Sequence, residues 1–165
     1  MQKNLFNLTF TPIELSHKNQ IEPLLTKEVP LLSGYTFASL MAWRVIFHYE
    51  WTLLHDKTLI ISANVPNQNN RHLLQPVGFF TEECQKMMVT EMAKLDYQII
   101  IHNVNGQFLE RYPAFISHFE IRNDPGSANY IYRTNDLALL PGRKYIKKRN
   151  LISQAESSYH WTANS

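Results

Sequence analysis

The fold class predicted by the sequence is α/β (α+β), with a mixed, mostly antiparallel central sheet flanked by helices. Three observations predict it. At 165 residues the chain has the size of one domain and enough length to bury a real core. A hydrophobic content of 44% and an aromatic content of 12%, against 18% charged residues, mark a packed globular protein and exclude a disordered one. Apolar residues recur every second position in some stretches and every three to four in others, with a strand, helix, strand unit mid-chain.

Leu5, Phe6, Leu8 and Phe10 form a short β-prone segment that Thr11-Pro12 ends. Ser16 is placed to cap a helix carrying Ile21, Leu24 and Leu25, which Pro23 shortens or kinks. A second helix begins near Ser33 or Thr36 and runs to about Arg44, with Phe37, Leu40 and Met41 on one face and Trp43 extending it. From Val45 to Val65 short apolar runs, Val45-Ile46-Phe47, Trp51 to Leu54 and Leu59 to Ile61, predict an antiparallel meander. A polar loop over 66–71 follows, and Leu73 to Gly78 bring the chain back into the sheet. Thr81 caps a helix with the apolar stripe Cys84, Met88, Met92 and Leu95.

Gln98 to His102 reads as a buried strand, and Asn103 to Gly106 as a turn into a short helix near Gln107 to Tyr112. Ala114 to Ile121 is expected to be another strand, Asp124-Pro125-Gly126 a turn, and Ala128 to Arg133 a further strand. A helix through Arg143 to about Glu156 closes a single domain over residues 1–156, leaving a polar tail over 157–165. No internal repeat or second core is evident.

The N-terminus lacks the apolar run of a secretion signal, and no segment is apolar for long enough to cross a bilayer, so a cytoplasmic location is expected. The single cysteine, Cys84, has no internal partner and falls in a Met-rich helical stripe, which makes it a packing residue. The seven histidines never stand three or four apart on a predicted helix, which disfavours a tetrahedral zinc site. His102 and His118, on predicted strands, read as satisfied sheet residues. There is no Gly-x-Ser-x-Gly elbow and no matched cysteine and histidine context, so a hydrolase nucleophile is not indicated.

A glycine-rich turn opening a helix would favour the pyrophosphate of coenzyme A. The candidate here, Val77 to Glu83, holds one glycine, two phenylalanines and two carboxylates, which argue against that anion. No cofactor is expected. The formal charge of +2 conceals a basic C-terminal stretch: five of the 16 basic residues lie between Arg143 and Arg149. Arg143, Lys144, Lys147, Lys148 and Arg149 on a helix place like charges side by side, which costs roughly 0.2–0.5 kcal/mol per pair unless an anion offsets it. They are the candidate anion or RNA site; a solvated terminal helix is the plain alternative. Tyr130, Tyr132 and Tyr145 are read as core before base-stacking residues.

Two segments carry a family resemblance. One is Ser33-Gly34-Tyr35-Thr36-Phe37-Ala38-Ser39-Leu40-Met41-Ala42-Trp43-Arg44; the other runs from Tyr130-Ile131-Tyr132 through Asp136-Leu137 to Gly142-Arg143-Lys144-Tyr145 and Lys147-Lys148-Arg149-Asn150. With them the chain resembles a bacterial family allied to the C-terminal domain of phosphatidylglycerol lysyltransferase. The resemblance implies an acetyltransferase-like (GNAT-like) fold, arranged in relatives as two tandem domains, of which this chain matches the first and the basic helix after it. It implies an acyltransferase-like domain related to enzymes that move an amino acid from charged tRNA, here without the second half. The implied partners are tRNA or another phosphate-bearing ligand, a separate second-domain protein, or a second copy. The alternative is a non-catalytic domain that uses the basic helix and the former inter-domain surface to bind a protein or itself.

Overall fold

The strand Thr58–Ala63 organises the molecule, because Thr-Leu-Ile-Ile-Ser-Ala is apolar or small throughout and all six residues are buried. The computed structural model describes residues 5–29, 32–64, 70–128 and 131–159. The chain divides into two compact units, Met1–Ser127 and Ala128–Ser165.

The first unit runs β1 (Thr11–Pro12), α1 (Lys18–Glu28), α2 (Phe37–Phe47), β2 (Glu50–Leu54), β3 (Thr58–Ala63), β4 (Arg71–Leu74), β5 (Val77–Gly78), α3 (Glu82–Met92), β6 (Ile99–His102), α4 (Gly106–Arg111) and α5 (Pro113–Ile116). Its sheet has the order β1-β2-β3-β4-β6, with β5 also paired to β3. All pairs are antiparallel except β4 with β6. β4 pairs with the end of β3 at Ser62 and Ala63, β5 with its start at Thr58 and Leu59. Pro76, lacking an amide hydrogen, stands between the two. The parallel pair needs a crossover, which α3 supplies.

Alternation along β3 divides the core in two. Leu59 and Ile61 join Ile21, Leu25, Phe37, Leu40 and Trp51, placing α1 and α2 on one face. Ile60 joins Leu54, Leu73, Cys84, Met88, Phe108 and Phe115, placing α3, α4 and α5 on the other. A sheet buried on both faces is what a near-continuous apolar strand predicts. The fold class is therefore as expected: an open, mixed, mostly antiparallel sheet flanked by helices, consistent with an acetyltransferase-like fold. Among the described residues no helix is long and apolar enough to cross a membrane.

Several local expectations hold. Thr36 caps α2, its hydroxyl accepting the Ser39 amide at 3.1 Å, and Thr81 caps α3 by accepting the Cys84 amide at 3.2 Å. Cys84 is buried in the core. Others are corrected. The β-prone start makes only a bridge between Leu5 and Leu8, and Thr11-Pro12, expected to break a strand, is itself the edge strand β1, where proline is tolerated. The turn Leu15–His17, not a Ser16 cap, leads into α1, and α1 continues past Pro23 to Glu28 because Ile21 and Leu25 are anchored in the core. Val45-Ile46-Phe47, expected as strand, is the last turn of α2, closed by His48 in the left-handed conformation. Trp43 is 50% exposed and does not extend the buried face.

Gln98 to His102 does form a strand, yet β6 is a sheet edge and only half-buried. Ala114 to Ile121 is helical at its start: Pro113 opens α5, and Phe115 rather than an alternating set is buried. Ala128 and residues 131–133 have no strand structure, and positions 129 and 130 of that expected strand lie outside the described residues. Position 65 of the expected meander, positions 66–69 of the expected polar loop and the end of the tail (160–165) lie outside them as well.

Candidate functional site

The five basic residues all lie in the second unit, at one junction. α6 (Thr134–Leu139) ends on Leu140 in the left-handed conformation, Gly142 takes φ +78°, the turn Arg143–Tyr145 follows, and α7 (Ile146–Ser158) begins. The helix therefore starts three residues later than the sequence indicated. That shift puts Lys147, Lys148 and Arg149 in its first turn, where the partial positive charge of the backbone opposes them.

The structure sorts the five cations into two groups. Lys144 donates to the Asp136 carboxylate at 3.1 Å, and the Tyr145 hydroxyl donates to the same carboxylate oxygen at 3.3 Å. That hydrogen bond and the carboxylate's charge raise the Lys144 ammonium above its usual range. The Lys144 ammonium also stands over the Tyr145 ring, 4.8 Å from its centroid. Arg149 donates to the carbonyl oxygens of Leu140 and, at 3.0 Å, of Gly142, closing the α6 to α7 turn. Arg143, Lys147 and Lys148 are exposed and meet no acidic group among the described residues. Tyr145 is a buried residue of this junction, as its core reading required; Tyr132 is exposed, and Tyr130 lies outside the described residues.

In the first unit the turn weighed for a pyrophosphate is occupied by its own bonding. The amides of Phe79, Phe80, Thr81 and Cys84 donate to Lys57 O, Gly78 O, Phe79 O and Thr81 Oγ1. Gly78, at φ +104°, answers a steric need, since a Cβ there would lie 2.4 Å from the Lys57 carbonyl oxygen.

A second constellation, which the sequence did not reveal, stands on the parallel pair of β4 and β6. Their register pairs His72 with Ile100 and Leu74 with His102, so His72 and His102 fall on the same face of adjacent strands. His72 Nδ1 and His102 Nε2 are 2.6 Å apart, the rings stacked with centroids 4.9 Å apart. Burial lowers both imidazoles below their usual range; His72 lowers His102 further, while the Asp124 carboxylate pulls His102 the other way. The buried Tyr35 hydroxyl accepts the Gln75 amide at 2.6 Å and donates to the His102 carbonyl at 3.4 Å. Burial raises the Tyr35 hydroxyl far above its usual range, so it stays protonated. The Gln75 side chain accepts the Asn105 amide at 3.0 Å. His118 follows α5 and is not part of this group. Among the described residues no three His, Cys, Asp or Glu side chains are placed to hold one metal ion.

The fold has a solved counterpart: a conserved protein of unknown function from Bacteroides thetaiotaomicron VPI-5482 is similar over 91% of this chain, with a TM-score of 0.75 and 23% identity. The chain spans about half the length of that protein, the similarity covering 50% of it. No curated protein matches the sequence. The family model of the phosphatidylglycerol lysyltransferase C-terminal region matches residues 6–165, and the chain belongs to that family as a related acyltransferase-like domain.

Proposed function

We propose that the chain serves acyl transfer and that Arg143, Lys147 and Lys148 hold phosphates of an RNA-borne donor such as charged tRNA. One observation carries this reading. Within five clustered cations, Lys144 and Arg149 are held by their own unit, while these three stand exposed at a helix start that disfavours positive charge. Bound phosphates would remove both that penalty and their mutual repulsion. Lys144 and Arg149 belong to the same site, the first as a paired cation that an RNA phosphate competes for, the second as the brace of the turn.

Titration of the full chain with bulk tRNA at two salt concentrations tests it. Three phosphate contacts predict an affinity loss of about 20- to 40-fold over a fourfold rise in salt. Replacing Arg143, Lys147 and Lys148 with alanine is expected to abolish binding with the far-UV spectrum unchanged. Equal binding by wild type and the triple variant would remove the reading.

A second reading is favoured by the length of the solved counterpart, which has as much chain again beyond the similar part. Here the domain has no activity alone, and the basic segment with the exposed Leu151 and Ile152 of α7 binds a further domain, a separate protein or a second copy. Light scattering distinguishes them: a dimer lost in the triple alanine variant, without tRNA binding, favours this alternative.

A further inference from the structure

A contact of 2.6 Å between two imidazole nitrogens requires one hydrogen between them, because two lone pairs or two N–H groups would repel. His72 and His102 therefore share a hydrogen in the neutral pair and in the singly protonated pair, and charging both rings breaks the contact. The two members differ in access: His72 is 8% exposed, whereas His102 ends β6 in solvent. His102 stands at the carboxyl end of β6, and the ring of His72, from within β4, reaches it along the shared face of the parallel pair. Tyr35 and Gln75 hold the ends of both strands together. Among the described residues, the Asp124 carboxylate, from the segment after α5, acts by its charge on the His102 imidazole, and the Tyr35 hydroxyl, from the turn before α2, meets the His102 carbonyl.

In the neutral pair with the shared hydrogen on His102 Nε2, the other nitrogen of His102, Nδ1, presents a lone pair and is a base. A proton taken up at Nδ1 makes His102 an imidazolium that still donates its Nε2 hydrogen to neutral His72, so the pair carries one charge and it stays on the exposed ring.

We propose that His72 and His102 form one acid–base centre, in which His102 exchanges a proton with an amine or hydroxyl acceptor of an acyl group and His72 positions it. This rests on the acyl-transfer reading above, not on the RNA site. As the acceptor nitrogen or oxygen bonds to the acyl carbon, its N–H or O–H bond breaks and the proton passes to His102 Nδ1. The His102 imidazolium is held by neutral His72 and by the Asp124 carboxylate. The same proton then goes to the leaving oxygen as the bond from the acyl carbon to that oxygen breaks, restoring the pair.

The test combines NMR titration of the imidazole rings with cleavage of p-nitrophenyl acetate, using full-length wild type, His72→Asn and His102→Gln, each checked by far-UV circular dichroism. In the wild type both rings are expected to titrate together, below the ordinary imidazole value of about 6.5. In His72→Asn, His102 should return toward that value and the acid limb of the rate profile should move up with it, a shift that loss of packing alone would not produce. His102→Gln, changed at an exposed ring, should lose roughly tenfold or more of the rate above buffer. Independent titration of the two rings near 6.5, or an unchanged rate in His102→Gln, overturns the proposal. Failure of tRNA binding with the His102→Gln loss intact removes the RNA-donor reading and leaves the centre standing; salt-sensitive tRNA binding with His102→Gln at the wild-type rate removes the centre alone.

Discussion

Gly78 cannot take a side chain, and the reason is spatial. Its φ of +104° disfavours any L residue, and a Cβ would press on the Lys57 carbonyl oxygen, which also accepts the Phe79 amide at 3.2 Å. Neither partner can withdraw without breaking that bond. Gly78→Ala is expected to cost about 3 kcal/mol, read as a lower urea midpoint at unchanged slope. Gly106→Ala, with open space around the Cβ and an ordinary helical backbone, should be neutral or slightly stabilising. The sequence disfavoured a pyrophosphate at this turn without giving Gly78 a role; the β3 to β5 pairing shows it as a point of close backbone approach. The histidine pair was hidden for a similar reason. His72 and His102 are 30 residues apart, and only the parallel pairing of β4 with β6 makes them neighbours.

Among the elements, α7 is the one whose sequence opposes its own stability. It has no buried side chain among its described residues, no side-chain cap, and three cations in its first turn. Lys147→Glu should therefore strengthen the helix by about 0.3–1 kcal/mol, seen as a raised urea midpoint. If the cluster holds RNA, the same change should weaken tRNA binding by about tenfold. Opposite movement of stability and affinity identifies charge kept for binding; a fall in both would show that the lysine serves the fold. The elements misread from sequence share a cause. Val45-Ile46-Phe47 is apolar and rich in β-branched residues, yet it continues a helix capped by Thr36 and anchored in the core by Phe37 and Leu40, which overrides local propensity. Around α5 the aromatic residues Tyr112, Phe115 and Phe119 recur at helical spacing, the Phe115 and Phe119 rings meeting at a tilt with centroids 4.9 Å apart, and a window centred on alternation missed that period.

For the molecule as a whole, both apolar clusters and the entire sheet lie within the first unit. A chain ending at Ser127 is therefore expected to fold alone and unfold in one cooperative transition, by circular dichroism and by tryptophan fluorescence alike. Non-coincident transitions, or a broad unfolding curve, would show that residues beyond 127 complete the core. The tRNA site proposed here would be absent from that shorter chain and the histidine pair retained, so the two activities are separable by length.

Composition, hydrophobic period and helix caps by themselves determined the fold class, the hairpin of β2 and β3, the capped helices α2 and α3 and the position of the basic cluster, because each depends on residues close in sequence. Tertiary structure alone decided the rest. Sheet order turned a presumed buried strand into the edge β6, local bonding divided five equivalent-looking cations into two held and three that meet no acidic partner among the described residues, and the parallel register joined two distant imidazoles through one hydrogen. Those outcomes arise from contacts between residues far apart along the chain, whose geometry no local pattern of side chains encodes.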